Sequence, residues 1–110
     1  LEIPAGKLEL NEEPRETALR ELKEETGFEA NKIEYLLEFY TSPGFTNEKI
    51  YLFLASDLIE GSPEPDSGEF IEYEKYKIDD LIKMIELGDI IDSKTIIGIN
   101  FAKRYLERKQ

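Results

Sequence analysis

The chain is predicted to adopt an α+β fold, on three observations. Apolar residues at helical spacing stand between Pro14 and Gly27. Two runs dense in Ile, Leu, Phe and Tyr flank the turn residues Ser42, Pro43 and Gly44. Two more helical stretches close the chain, so helices are expected to pack on a mostly mixed sheet.

The elements follow in order. Residues 1–4 form a short strand-like run that ends at Pro4 and Ala5, and Gly6 then allows a turn. Pro14 suits the first turn of a helix, where its missing N–H has no intrahelical partner. Gly27 suits the position just past the helix end, which is often left-handed. Between them Ala18, Leu19, Leu22 and Thr26 mark the face turned to a core. Residues 32–41 read as a strand. Residues 49–58 read as a second, and Ile50, Tyr51, Leu52, Phe53, Leu54 and Ala55 make it apolar enough to be buried on both faces. The turn predicts that these strands pair antiparallel. Residues 59–68 are a loop with Gly61, Pro63, Pro65 and Gly68. Residues 70–78 alternate well enough for a third strand. Asp79 or Asp80 is expected to cap a helix running to about Leu87 and stopped by Gly88. Ser93 is expected to cap a last helix through Lys109, with Ile96, Ile97, Phe101, Tyr105 and Leu106 on its apolar side. No repeat or linker divides the chain, and 110 residues suffice for one domain, spanning residues 1–110.

The first helix carries an electrostatic problem. Glu21 and Glu25 lie one turn apart and Glu24 sits beside them, so at about 3.6 residues per turn the three share one flank. Like charges at this spacing repel by about 0.2–0.5 kcal/mol per pair. They also crowd the negative end of the helix dipole. Arg20 and Lys23 relieve part of this. A hard divalent cation would relieve it better, because Mg²⁺ takes oxygen ligands. A plain reading also exists, in which the acids form a solvated helix face and Arg20 is an i,i+4 partner of Glu24.

Composition narrows the chemistry. The chain has no Cys and no His. Disulfides, thiolate sites and imidazole ligands are therefore excluded, and any metal site is oxygen-only, favouring Mg²⁺ with Mn²⁺ as a substitute. Acid–base work falls to Glu, Asp, Lys, Tyr or metal-bound water. The net charge of −11 argues against sequence-independent nucleic-acid binding. No apolar run is long enough to cross a membrane, and a cytoplasmic protein is the default expectation.

Gly6, Glu12 and the run Arg20-Glu21-Leu22-Lys23-Glu24-Glu25-Thr26-Gly27-Phe28 together read G-x5-E-x7-R-E-U-x-E-E-x-G-U, with U a bulky apolar residue. No position departs from the signature of the Nudix hydrolases, and the chain resembles that family. The resemblance implies a Nudix-type α/β/α sandwich with a mixed sheet. Strands normally precede the signature in that fold, so an N-terminal portion is expected beyond Leu1. The resemblance also implies that Glu21, Glu24, Glu25 and the Ala5 carbonyl hold the metal, and that Arg20 orients the glutamates from behind.

Pro43 lies sixteen residues after Gly27, and a proline at about that distance resembles the ADP-ribose pyrophosphatase subgroup. So do the runs from Ser42 to Glu48 and from Gly68 to Glu72. The expected activity is Mg²⁺-dependent cleavage of the diphosphate of ADP-ribose, or of a related nucleoside diphosphate sugar, giving AMP and ribose 5-phosphate. Substrate contacts are expected from Gly6, Pro43, Gly44, Phe45 and Glu48. Phe45 either stacks on a base or ribose or tucks under the sheet. Catalysis is assigned to Glu69, Glu24 and Arg20, with Glu69 as the base on a loop able to close and Glu64 and Asp66 as rivals. A homodimer is expected from the resemblance. The rival class is a nucleotide-binding module that does not cleave.

Overall fold

The computed structural model describes residues 1–61 and 73–109. Its elements are α1 (Pro14–Thr26), β1 (Glu29–Tyr40), β2 (Lys49–Ile59), α2 (Ile78–Glu86) and α3 (Ser93–Arg108). The chain divides into two compact units. One holds Leu1–Ile3, Leu36–Leu52 and Lys75–Gln110, and the other holds Pro4–Tyr35 and Phe53–Glu74.

The α+β class stands. β1 and β2 pair antiparallel in a two-stranded sheet among the described residues. Thr41 closes the ladder by donating its N–H to the Glu48 carbonyl at 3.2 Å. β2 is not buried on both faces. Only Leu52 is buried, and Ile50, Phe53, Leu54 and Ala55 are half-covered. Burial on both faces requires a packed layer against each, and the half-covered residues show that β2 is not fully covered on both.

α1 occupies the expected span. Its end is held by several bonds at once. Gly27 is left-handed at φ 80° and donates to the Lys23 carbonyl at 2.8 Å. The Thr26 hydroxyl donates to the Leu22 carbonyl at 2.6 Å and accepts from the Phe28 N–H at 3.1 Å. The buried positions of α1 are Thr17 and Thr26, whereas Ala18, Leu19 and Leu22 are half-buried. Two threonines tolerate burial because their hydroxyls are satisfied within the chain. Arg15 ties α1 to β1, donating to the Ile33 carbonyl at 2.8 Å and lying 5.9 Å from the centre of the Phe53 ring. Phe28 is buried and meets Tyr73 edge-on at 5.5 Å.

Several expectations need correction. Residues 73–77 carry no strand, and Ile78 already begins α2. The alternation over 73–77 is short and largely polar; residues 62–72, which include the start of the expected strand, lie outside the described residues. Neither Asp79 nor Asp80 caps α2. The capping position is Lys77, with no side-chain bond, and both aspartates lie in the first turn, where they complement the dipole. Gly88 is left-handed just past the end, as expected, at φ 82°.

Asp92, not Ser93, caps α3. Its carboxylate accepts from the Thr95 N–H at 3.1 Å and from the Thr95 hydroxyl at 2.7 Å. Thr95 Oγ1 in turn accepts from the Ile3 N–H at 3.1 Å. Residues 1–4 form no strand among the described residues, and this bond ties them to α3 instead. The buried face of α3 is Thr95, Gly98 and Ile99, while Leu106 is 43% exposed. In the α2–α3 connection Ile90 is only 2% exposed. Burying such a side chain contributes about 1.5–3 kcal/mol.

Candidate active site

The site is built around α1 and the loop before it, all within one unit. The loop residues 9–12 form a tight turn, with Glu12 N–H donating to the Glu9 carbonyl at 3.0 Å. Asn11 takes the left-handed conformation at φ 65°, which Asn adopts more readily than most residues. This turn points the Glu12 carboxylate back toward the helix. There it accepts from the Glu9 N–H at 3.0 Å and the Thr17 hydroxyl at 2.7 Å.

Arg20 is the centre of the arrangement. Its Nε donates to Glu12 Oε2 at 2.9 Å, and its Nη2 to Glu12 Oε1 at 3.1 Å. Nη2 also donates to the Lys7 carbonyl at 3.1 Å. On the other side Nη1 donates to Glu21 Oε1 at 2.8 Å and reaches both oxygens of Glu24 at 3.2 and 3.4 Å. Glu9 lies 3.5 Å from Nη1. One guanidinium thus serves four carboxylates and a carbonyl, and it is more than an i,i+4 partner of Glu24. It is 24% exposed at its side chain, so these charge-assisted bonds are partly shielded from water.

The electrostatics follow from that geometry. The Arg20 bonds, helped by the Glu9 amide and the Thr17 hydroxyl, hold Glu12 far below the usual carboxylate value, at about 2. Glu12 in turn pushes the Arg20 value higher still, with Glu21 adding to it. Both groups are therefore ionised at any physiological pH.

Gly6 stands directly against Glu21. A β-carbon there would overlap the Glu21 carboxylate group. At the far end of the helix, a β-carbon on Gly61 would lie 2.8 Å from the Gly27 carbonyl oxygen. The loop after β2 therefore starts against the end of α1.

The expected site residues fall into three groups. Gly6, Arg20, Glu21 and Glu24 are brought together, with Ala5 beside Gly6 in the same unit and Glu25 half-buried one turn beyond Glu21. Pro43, Gly44, Phe45 and Glu48 belong to the other unit, in the connection between β1 and β2. Phe45 is 95% exposed, so it does not tuck under the sheet. The Ser42 carbonyl accepts from the N–H groups of Phe45 and Thr46, a turn that leaves the ring in solvent. Glu48 accepts from the Thr41 hydroxyl at 2.9 Å and so helps close the loop. Glu69, Glu64 and Asp66 lie outside the described residues.

Among the described residues no three acidic side chains stand ready as a metal cage. Glu12, Thr17 and Lys7 were not assigned a role from the sequence. Glu12 had a signal, its place in the signature, whereas Thr17 and the Lys7 carbonyl had none. The donor set that is present suits a hard cation, since it offers carboxylate and carbonyl oxygens and no nitrogen or sulfur. The bare face of Gly6 also admits the Glu21 carboxylate where a side chain would exclude it.

These features define a chain whose acids are organised by one arginine behind a glycine loop. The NUDIX domain matches residues 1–96, and the chain belongs to that family. An ADP-ribose pyrophosphatase of Bacillus subtilis (strain 168) is 46% identical over 112 residues, covering 100% of this chain and 58% of that protein. A methanol dehydrogenase activator of Bacillus methanolicus is also 46% identical, over 92% of this chain and 56% of that protein. The crystal structure of an ADP compounds hydrolase superposes with a TM-score of 0.82 at 25% identity, covering 93% of this chain and 55% of that one. The chain thus spans about half the length of the relatives it matches. Among the described residues no helix is long and apolar enough to cross a membrane.

Proposed function

We propose that this chain carries the catalytic centre of a pyrophosphohydrolase that cleaves ADP-ribose, or a related nucleoside diphosphate sugar, into the nucleoside monophosphate (AMP from ADP-ribose) and a sugar phosphate. The observation that carries this reading is the gathering of Glu12, Glu21 and Glu24 about Arg20. The similarity to an ADP-ribose pyrophosphatase supports the substrate class.

Glu21, Glu24, Glu25 and the Ala5 carbonyl would hold Mg²⁺, or Mn²⁺ in its place. A divalent ion bound there supplies neutralisation of the diphosphate oxygens and lowers the cost of forming a nucleophile from water. Arg20 aims Glu21 and Glu24, and Glu12 keeps Arg20 in position. Glu69 takes the proton of the attacking water, with Glu64 and Asp66 as its rivals. Gly6, Pro43, Gly44, Phe45 and Glu48 contact the substrate, and the exposed Phe45 ring is available to stack on a base or ribose. We take the chain as one domain of a cytoplasmic homodimer.

The test is release of AMP from ADP-ribose by the full-length protein with and without Mg²⁺. Glu69→Gln should reduce turnover far more than metal affinity. No Mg²⁺-dependent release from any nucleoside diphosphate sugar would refute the catalytic reading. The rival reading is a module that binds a nucleotide without cleaving it. Tight nucleotide binding with no product would favour that one.

A further inference from the structure

Thr17 is one of two residues that α1 buries, and it is polar. A valine would fill the same space with no polar atom to satisfy, so the hydroxyl calls for a use. A helical threonine commonly donates to the carbonyl one turn back. Here that carbonyl, of Glu13, lies 3.3 Å away, whereas Glu12 Oε1 lies at 2.7 Å. The hydroxyl has one proton, and the nearer, charged acceptor takes it.

Glu12 needs such a contact. Its carboxylate meets Arg20 as a fork, Oε2 accepting from Nε at 2.9 Å and Oε1 from Nη2 at 3.1 Å. Two parallel bonds require the carboxylate and the guanidinium to share a plane. The last torsion of a glutamate is soft, so nothing within Glu12 selects that plane. Thr17 can select it, because its β-branched side chain has few rotamers and stands on the same helix as Arg20. Of the bonds that Oε1 accepts from Thr17, Arg20 and the Glu9 N–H, that from Thr17 is the shortest. We infer that Thr17 is a positioning residue: its hydroxyl sets the plane of the Glu12 carboxylate, which orients Arg20, which in turn places Glu21 and Glu24. This rests on the catalytic reading above. It goes beyond the signature, in which position 17 is open to any residue.

The test compares full-length wild type, Thr17→Val and Thr17→Ser on ADP-ribose with Mg²⁺. Thr17→Val keeps the volume and loses the hydroxyl, and Thr17→Ser keeps the hydroxyl. In the valine variant kcat should fall by about 5- to 20-fold, near the lower end of the range for groups that orient others in a site, with KM little altered. Serine should recover most of that loss. A threonine that only packs predicts the reverse order, since valine fills the space and serine leaves a gap. Thr17→Val should cost nothing further once Glu12 is glutamine, because the route runs through Glu12. Wild-type turnover in Thr17→Val, or an undiminished drop in the Glu12→Gln background, overturns the inference and leaves the catalytic reading standing.

Solvent exchange of the Arg20 Nε proton, followed by NMR, needs neither substrate nor ion. It should be faster in Thr17→Val than in wild type, and close to wild type in Thr17→Ser. An equal rate in Thr17→Val and wild type overturns the inference even where turnover differs. A wild type that releases no product, with faster exchange in Thr17→Val, refutes the catalytic reading while the hold of Thr17 on Arg20 stands. Should Thr17→Val fail to fold, Thr17→Ala carries both measurements.

Discussion

Gly6 lies so close to Glu21 that a single added methyl group would occupy the space of the carboxylate. The loop and the helix therefore meet at a point where only hydrogen is tolerated. Glu21 is also an acceptor of Arg20 Nη1, so pushing it aside disturbs the whole acidic cluster. Gly6→Ala is expected to lower kcat by about 100-fold, the scale for displacing a catalytic group by roughly 1 Å. Steady-state kinetics check this, with circular dichroism showing that α1 persists.

Glu12 acts on the site through Arg20. Glu12→Gln keeps the shape but removes the charge that holds the Nε–Nη2 edge. Turnover should fall by about 10- to 100-fold, as for other groups that orient metal ligands. The thermal midpoint should fall too. Equal activity in the variant would show that Arg20 needs no anchor.

Asp92 makes a pH prediction. The Thr95 hydroxyl, joined by Lys94 and the Thr95 amide and opposed by partial burial, holds the Asp92 carboxyl below its ordinary value. A lowered value in the folded state means folding favours the ionised form. Its stabilisation is therefore fully present above the unfolded value of about 4 and fades as pH falls through the lowered one. Asp92→Ala should cost about 0.5–2 kcal/mol at pH 7, the usual range for a lost helix cap. The difference from wild type should shrink by pH 3, as measured by urea unfolding at both pH values.

Gly98 separates helix propensity from packing. A β-carbon there would sit 3.2 Å from Ile3 Cδ1 and 3.3 Å from Leu52 Cδ1, both ends of flexible side chains. Alanine gains about 1 kcal/mol in a helix interior over glycine. Small shifts of the two methyl groups should offset that, leaving Gly98→Ala within about 1 kcal/mol of wild type. Gly98→Leu has no such room and should destabilise by about 1–3 kcal/mol, the cost of overpacking. Chemical denaturation distinguishes the two.

Phe45 stands in solvent, so its removal should leave stability within about 0.5 kcal/mol. A stacking role predicts that Phe45→Ala raises KM with kcat little altered. An unchanged KM would remove Phe45 from the substrate site.

Much of the local architecture was legible before any coordinates. Pro14 and Gly27 bound α1 where their backbone chemistry requires it, and the runs about Pro43 announced the hairpin. The signature also placed Glu21 and Glu24 on a common flank. What was misread has a common cause. Asp92 was overlooked because Ser93 is an equally good cap by residue type, and only the approach of Thr95 decides between neighbours. The buried face of α3 was sought in its largest apolar residues, yet Gly98 is chosen by the nearness of Ile3 and Leu52. Residues 73–77 of the expected third strand are not extended in a sheet, because a short, largely polar alternation gives no apolar face to hold it there.

Sequence by itself thus determined the family, the helix that bears the acids and the oxygen-only chemistry of any ion they bind. These follow from residue type and short spacing, which local backbone geometry converts directly into position. Tertiary structure alone decided that Glu12 grips one edge of Arg20 while Glu21 and Glu24 share the other. That division depends on a loop folding back onto the helix and on distances of a few ångström, and no spacing along the chain encodes which edge of a planar cation faces which acid.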